Sequence, residues 1–139
     1  MMSAHSASPR RRRAIELLAA VWLLLLAGCT STPLTPEPPP VVFPDSAVSF
    51  RLHVQPFLRQ GCAFAGCHSS ASRAGGVALE EYVQLWERPG LVIPGVPEQS
   101  LLVQLLEGQL PHLPDLRART TENQRQGVRR WIAEGAQNN

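Results

Sequence analysis

The run Gly61-Cys62-Ala63-Phe64-Ala65-Gly66-Cys67-His68 sets two thiols and an imidazole in one short segment. A Cys-x-x-Cys-His string is the usual signature of covalent haem attachment. Here four residues separate the thiols and the Cys-His step is unchanged. The order of residues follows from the chemistry. Two thiols add to the two vinyl groups at the porphyrin edge, and the imidazole after the second thiol binds the iron from the proximal side. A longer loop between the thiols can bulge outward without moving either anchor. The Cys67-His68 step cannot lengthen, because it fixes the imidazole over the metal. Gly66 gives the longer loop conformational freedom. The expectation is a single covalent haem c, attached through Cys62 and Cys67 and ligated by His68.

Two other uses of these residues compete. Cys62 and Cys67 can pair as a disulfide in an oxidising compartment. Cys62, Cys67, His68 and His112 supply a zinc-type donor set, but adjacent ligands such as Cys67 and His68 converge poorly on one tetrahedron.

The other axial position of an iron is open to three readings: His112, no protein ligand at all, or His53. Methionine is not among them, because the sequence has only Met1 and Met2. Both fall in the leader described next.

Arg10 to Arg13 form a basic cluster, and an apolar run follows from Leu17 to Ala27. That run is about half the length a spanning helix needs, so it reads as the core of a signal peptide. It ends in Leu26-Ala27-Gly28-Cys29, which resembles the lipobox of bacterial lipoproteins. The resemblance implies lipidation of Cys29 and residues 1–28 as signal peptide. It also implies a cell-envelope location facing the periplasm, with the outer membrane favoured by Thr30 in place of an Asp. Residues 29–44 are rich in proline and read as an extended spacer. Residues 45–139 are then the single domain, short enough that a bound cofactor would stabilise it usefully. No Lys occurs, and four of the 13 basic residues lie in Arg10–Arg13. The domain is close to neutral, which gives a nucleic-acid role no support.

The hydrophobic pattern of residues 45–139 predicts an all-α domain. Asp45 or Ser46 can cap a short first helix with Val48 and Leu52 on one face. Pro56 suits the first turn of a segment running to Gln60. Ser69 to Gly76 reads as a polar loop, and Leu79 to Trp86 as a short amphipathic helix. Pro97 opens a helix to about Glu107, with Leu101, Leu102, Leu105 and Leu106 as its apolar stripe. Gln109 to Arg119 reads as a loop around Pro111-His112-Leu113-Pro114. Thr121 and Gln124 predict a capping box for a last helix to about Glu134, with Val128, Trp131 and Ile132 inward. Gly127 either permits a close crossing there or is merely tolerated.

That order resembles the class I cytochrome c fold, and more narrowly the planctomycete-type cytochrome c domain. The matching strings are Val54-Gln55-Pro56-Phe57-Leu58, the Cys62–His68 run, Gly75-Gly76-Val77-Ala78-Leu79, Ile93-Pro94-Gly95-Val96-Pro97-Glu98-Gln99-Ser100-Leu101, Pro111-His112-Leu113-Pro114 and Trp131-Ile132-Ala133-Glu134-Gly135-Ala136. They run in order through residues 48–136, and their collinearity is more specific than any one of them. The resemblance implies helices packed around one haem. This sequence departs from the pattern at Leu113, where such domains carry the methionine ligand. The function implied is one-electron transfer by a lipid-tethered carrier, with redox proteins of the envelope as partners. The alternatives are a haem enzyme or sensor with an open iron site, and a haem-free, disulfide-bonded structural lipoprotein.

Overall fold

The computed structural model describes residues 38–139, and the expectations for the leader, for Cys29 and for most of the spacer lie outside the described residues. Among the described residues there are helices, turns and loops and no strands, so the fold is all-α. No helix among them is long and apolar enough to cross a membrane.

The packed unit begins earlier than Asp45. It spans Pro39–Asn139, and Phe43, expected in the spacer, is a buried core residue. Its backbone N–H donates to the Asn123 side chain at 2.8 Å, and Asn123 donates back to the Phe43 carbonyl at 2.9 Å. The ring of Phe43 occupies the space a side chain on Gly127 would need. A Cβ built on Gly127 would lie 2.1 Å from that ring. The close approach that Gly127 permits is therefore with an aromatic ring from the start of the unit.

The first helical segment is a π-helical turn, Phe50–Val54, running directly into an α-helix, Gln55–Gly61. Its N-cap is Ser49, four and three residues later than the expected Asp45 or Ser46, and the Ser49 hydroxyl accepts from the Leu52 amide. The shift turns the face: Val48 is buried but Leu52 is 73% exposed, against expectation. Pro56 lies in the first turn, where its missing N–H costs nothing.

Three further segments differ from the sequence pattern. Leu79 to Trp86 forms only a 3-10 helix, Tyr82–Trp86, entered through a capping box of Glu81 and Gln84. The expected helix from Pro97 divides into a 3-10 turn, Pro97–Gln99, and an α-helix, Leu101–Leu106. The break is at Ser100, which is fully buried; its hydroxyl accepts from the Ile93 amide and donates to the Val96 carbonyl. The expected loop after it contains a helical turn, Leu116–Arg119, capped by Asp115.

The terminal helix, Glu122–Ala133, starts with the capping box of Thr121 and Gln124. It buries Val128, Trp131 and Ile132 and packs against the Phe50–Val54 turn and the Leu101–Leu106 helix. Burying each of the large apolar side chains contributes about 1.5–3 kcal/mol. The Phe50 ring lies 5.6 Å from that of Trp131, and the Glu134 carboxylate accepts from the Ala47 and Val48 amides. The two ends of the unit are thus tied together, and the remaining segments close around a cleft.

Candidate functional site

The helix Gln55–Gly61 delivers the chain to the first cysteine. The Cys62 and Ala63 amides both donate to the Leu58 carbonyl. Gly66 then adopts φ +85°, a left-handed conformation that favours glycine, and the loop turns back to Cys67. The His68 amide donates to the Cys62 carbonyl at 3.1 Å, which closes the loop. Cys62, Cys67 and His68 all line one cleft of about 580 Å³. Both cysteines are free thiols. Burial, with the nearby Cys67 as a smaller contribution, pushes the Cys62 thiol up to about 11.

His112 lines the same cleft, carried there by the segment between the Leu101–Leu106 helix and the Leu116–Arg119 turn. The His68 and His112 ring centroids are 5.9 Å apart, with the planes at 41°. Each ring has its Nδ1 against a backbone carbonyl: Val77 at 3.3 Å for His68 and Pro114 at 3.0 Å for His112. A carbonyl only accepts, so each bond places the proton on Nδ1 and leaves the Nε2 lone pair free. Partners of this kind orient metal-binding imidazoles. Two metal–imidazole bonds of about 2 Å each put ring centroids roughly 6 Å apart. The observed centroid spacing of 5.9 Å is close to that value.

The rest of the lining is mainly apolar. Leu101, Leu102, Leu105 and Leu106 contribute from one helix, with Leu79 and Leu91 from preceding segments. No acidic side chain lines the cleft among the described residues, while Arg88 and Arg119, both exposed, do. The cleft is therefore positive at its polar edge and mainly apolar elsewhere. Sequence reasoning had no signal that Arg88 and Arg119 line the cleft. The carbonyl of Val77 was within reach, since Gly75-Gly76-Val77 already stood out as a string.

Among the described residues no group of three or more His, Cys, Asp or Glu side chains is gathered to hold a metal ion. The zinc alternative, which needs Cys62, Cys67, His68 and His112 around one ion, therefore has no geometric support. His53 does not line the cleft. Its Nδ1 accepts from the Ser49 amide at 3.0 Å, and its ring lies 6.0 Å from that of Phe43. Leu113, the position of the expected departure, lines the cleft edge and is 95% exposed. Cys29 lies outside the described residues. Compared with known protein families, curated proteins and solved structures, the chain has no match.

Proposed function

We propose that this chain is a lipid-anchored protein of the cell envelope whose packed unit has a class I cytochrome c-like fold, carries one covalent haem c and works as a one-electron carrier. The observation that carries the reading is the meeting of Cys62, Cys67 and His68 with His112 around one cleft, the two imidazoles 5.9 Å apart. When bound, the haem supplies an iron centre that takes up and releases one electron.

The chain's own residues have separate tasks. Cys62 and Cys67 anchor the group through thioethers. His68 and His112 hold the metal through Nε2, each oriented by its Nδ1–carbonyl bond. The leucines of 101–106 exclude water. Arg88 and Arg119 supply positive charge for the carboxylates of the group, and no acidic lining side chain among the described residues opposes them. A cleft of about 580 Å³ falls within the range for cofactor sites. Imidazole in place of thioether as the second ligand sets a lower reduction potential than methionine ligation gives. The basic cluster, apolar run and Cys29 support export and lipid anchoring, with redox proteins of the envelope as partners.

The test is expression in a host with cytochrome c maturation machinery, followed by optical spectra of native and denatured protein. The expected result is a haem signal that survives denaturation and sharp reduced bands in the native state. A colourless protein would overturn the proposal and favour a haem-free lipoprotein.

A further inference from the structure

The reading above leaves unexplained how differently the two imidazoles are mounted. Among the described residues, no hydrogen bond joins residues 110–114 to any other part of the chain; the single one they make is His112 Nδ1 to the Pro114 carbonyl, within the segment itself. The ends, by contrast, are fixed. The Gln109 amide donates to the Gln104 carbonyl at 2.8 Å, and the Asp115 carboxylate accepts from the Arg117 amide at 3.0 Å. A second cavity of about 220 Å³ adjoins the cleft at this point. It shares His112, Leu105, Leu110, Pro111 and Leu116 with the cleft and extends to Asp115 and Arg117.

From these features we infer that His112 is a displaceable ligand, and that the coordination position it holds takes a small neutral molecule of the carbon monoxide or nitric oxide class when the 110–114 arm swings aside. This inference rests on the haem reading of the same site. The arm can move as a unit, because its one hydrogen bond travels with it. Its tip, Leu113, is already 95% exposed, so the movement uncovers little apolar surface there. The adjoining cavity provides room for the imidazole beside its present place. His68 has no such freedom, being held by the Cys62 carbonyl, the Val77 carbonyl and the adjacent Cys67. The apolar lining from Leu101, Leu105 and Leu110 suits an uncharged incomer. The exchange breaks one coordinate bond, to His112 Nε2, and makes one to the incoming molecule; no electron or proton is transferred.

The test mixes the reduced, haem-loaded protein with carbon monoxide in a stopped-flow spectrometer. In the unaltered protein the observed rate should rise with carbon monoxide concentration and then level off, where opening of the arm becomes limiting. In His112→Ala it should stay linear in concentration and exceed that plateau by about tenfold or more, because nothing has to leave. Pro111→Gly, which frees the arm backbone, should raise the plateau by about two- to fivefold. Failure of the unaltered protein to bind carbon monoxide while His112→Ala binds it would overturn the inference and leave the carrier reading standing. Plateau-free kinetics identical to those of His112→Ala would also overturn it, because His112 would then not occupy the position. Absence of any covalent haem signal after denaturation would instead remove the haem reading, and this inference with it.

Discussion

The two sides of the cleft each present a histidine, but they are built on opposite principles. On the His68 side, polar groups are bonded to one another almost throughout. The Ser72 hydroxyl donates to the Cys67 carbonyl, the Ala74 amide donates to the same carbonyl, and the Leu79 amide donates to the carbonyl of His68. Glu80 binds the Ser70 amide, and Gln55 and Arg59 bind the Glu80 carbonyl, which ties this wall back to the Gln55–Gly61 helix. On the His112 side, residues 110–114 have none of these ties among the described residues. Local stability follows the number of such bonds and the packing beneath them. One wall is therefore a mount and the other an arm, and the proposed haem would be held by one side and adjusted by the other.

The largest effect expected from this contrast is on cofactor retention. On the proposed haem reading, His68→Ala should reduce covalent haem yield by about tenfold or more, because the imidazole proposed to bind iron beside Cys62 and Cys67 is lost. His112→Ala should leave the yield within about twofold, because that arm supports no other element, and should change the native spectrum instead. Haem staining after denaturing electrophoresis checks the first, and native absorption spectra the second. Equal loss of yield in both variants would break the contrast.

The next effect concerns the haem-free protein. With the Cys62 thiol pushed up to about 11, its reaction with a neutral alkylating reagent at pH 8 should be about a hundredfold slower than that of an ordinary thiol. Between the ordinary thiol range and about 11, the folded chain keeps a proton that the unfolded chain releases. Stability is therefore fully present below that window and falls as pH rises through it, by about 3 kcal/mol at most. Urea unfolding of the haem-free chain at pH 8 and pH 11 should show this loss, and Cys62→Ser should remove it.

Much of the site could be read from residue types and spacing, and much of the frame could not. Cys62, Cys67, His68 and His112 were singled out because few other residues do that chemistry, and all four line the cleft. The capping box of Thr121 and Gln124 is as expected, since capping is set by residues three apart in sequence. Phe43 was misassigned because prolines around it signal a spacer, and only its long-range fit against Gly127 and Asn123 makes it core. Leu52 is exposed, against expectation, because the helical turn starts only after Ser49, which leaves Val48 outside it and removes the shared helix face. The helix expected from Pro97 breaks at Ser100, whose buried hydroxyl accepts from the Ile93 amide and donates to the Val96 carbonyl, short-range bonds that a helical hydrophobic period does not encode. A long-range contact decides the first of these departures, and local backbone geometry outside the regular helical period decides the other two.

A smaller and more diffuse effect should come from the shared frame. In Gly127→Ala the new methyl would meet the Phe43 ring, and the ring must shift. The expected cost is about 1–3 kcal/mol, measured by urea unfolding. If mount and arm hang independently from this frame, the spectrum of the haem-loaded protein should stay unchanged while stability falls. A spectral change in Gly127→Ala would mean that the walls are coupled through the core.

The smallest effect is the sharpest probe of the mount alone. Hydrogen bonds from the Ser70 hydroxyl first and the Ser70 amide second hold the Glu80 carboxyl below the usual carboxylate range, with Arg59 adding to the effect. The folded carboxylate thus keeps its charge to a lower pH than the unfolded one. Its contribution is complete above the ordinary carboxylate value and is lost as pH falls through the lowered folded value. Glu80→Gln keeps an acceptor for Ser70 but removes the titration. In the haem-free protein, the Ser70 amide resonance should move with acid in the unaltered chain and stay still in Glu80→Gln. Resonances of Leu110 and Leu113, on the arm, should be the same in both. If the arm resonances follow Glu80, acid loosening of the mount reaches His112, and the two walls form one mechanical unit after all.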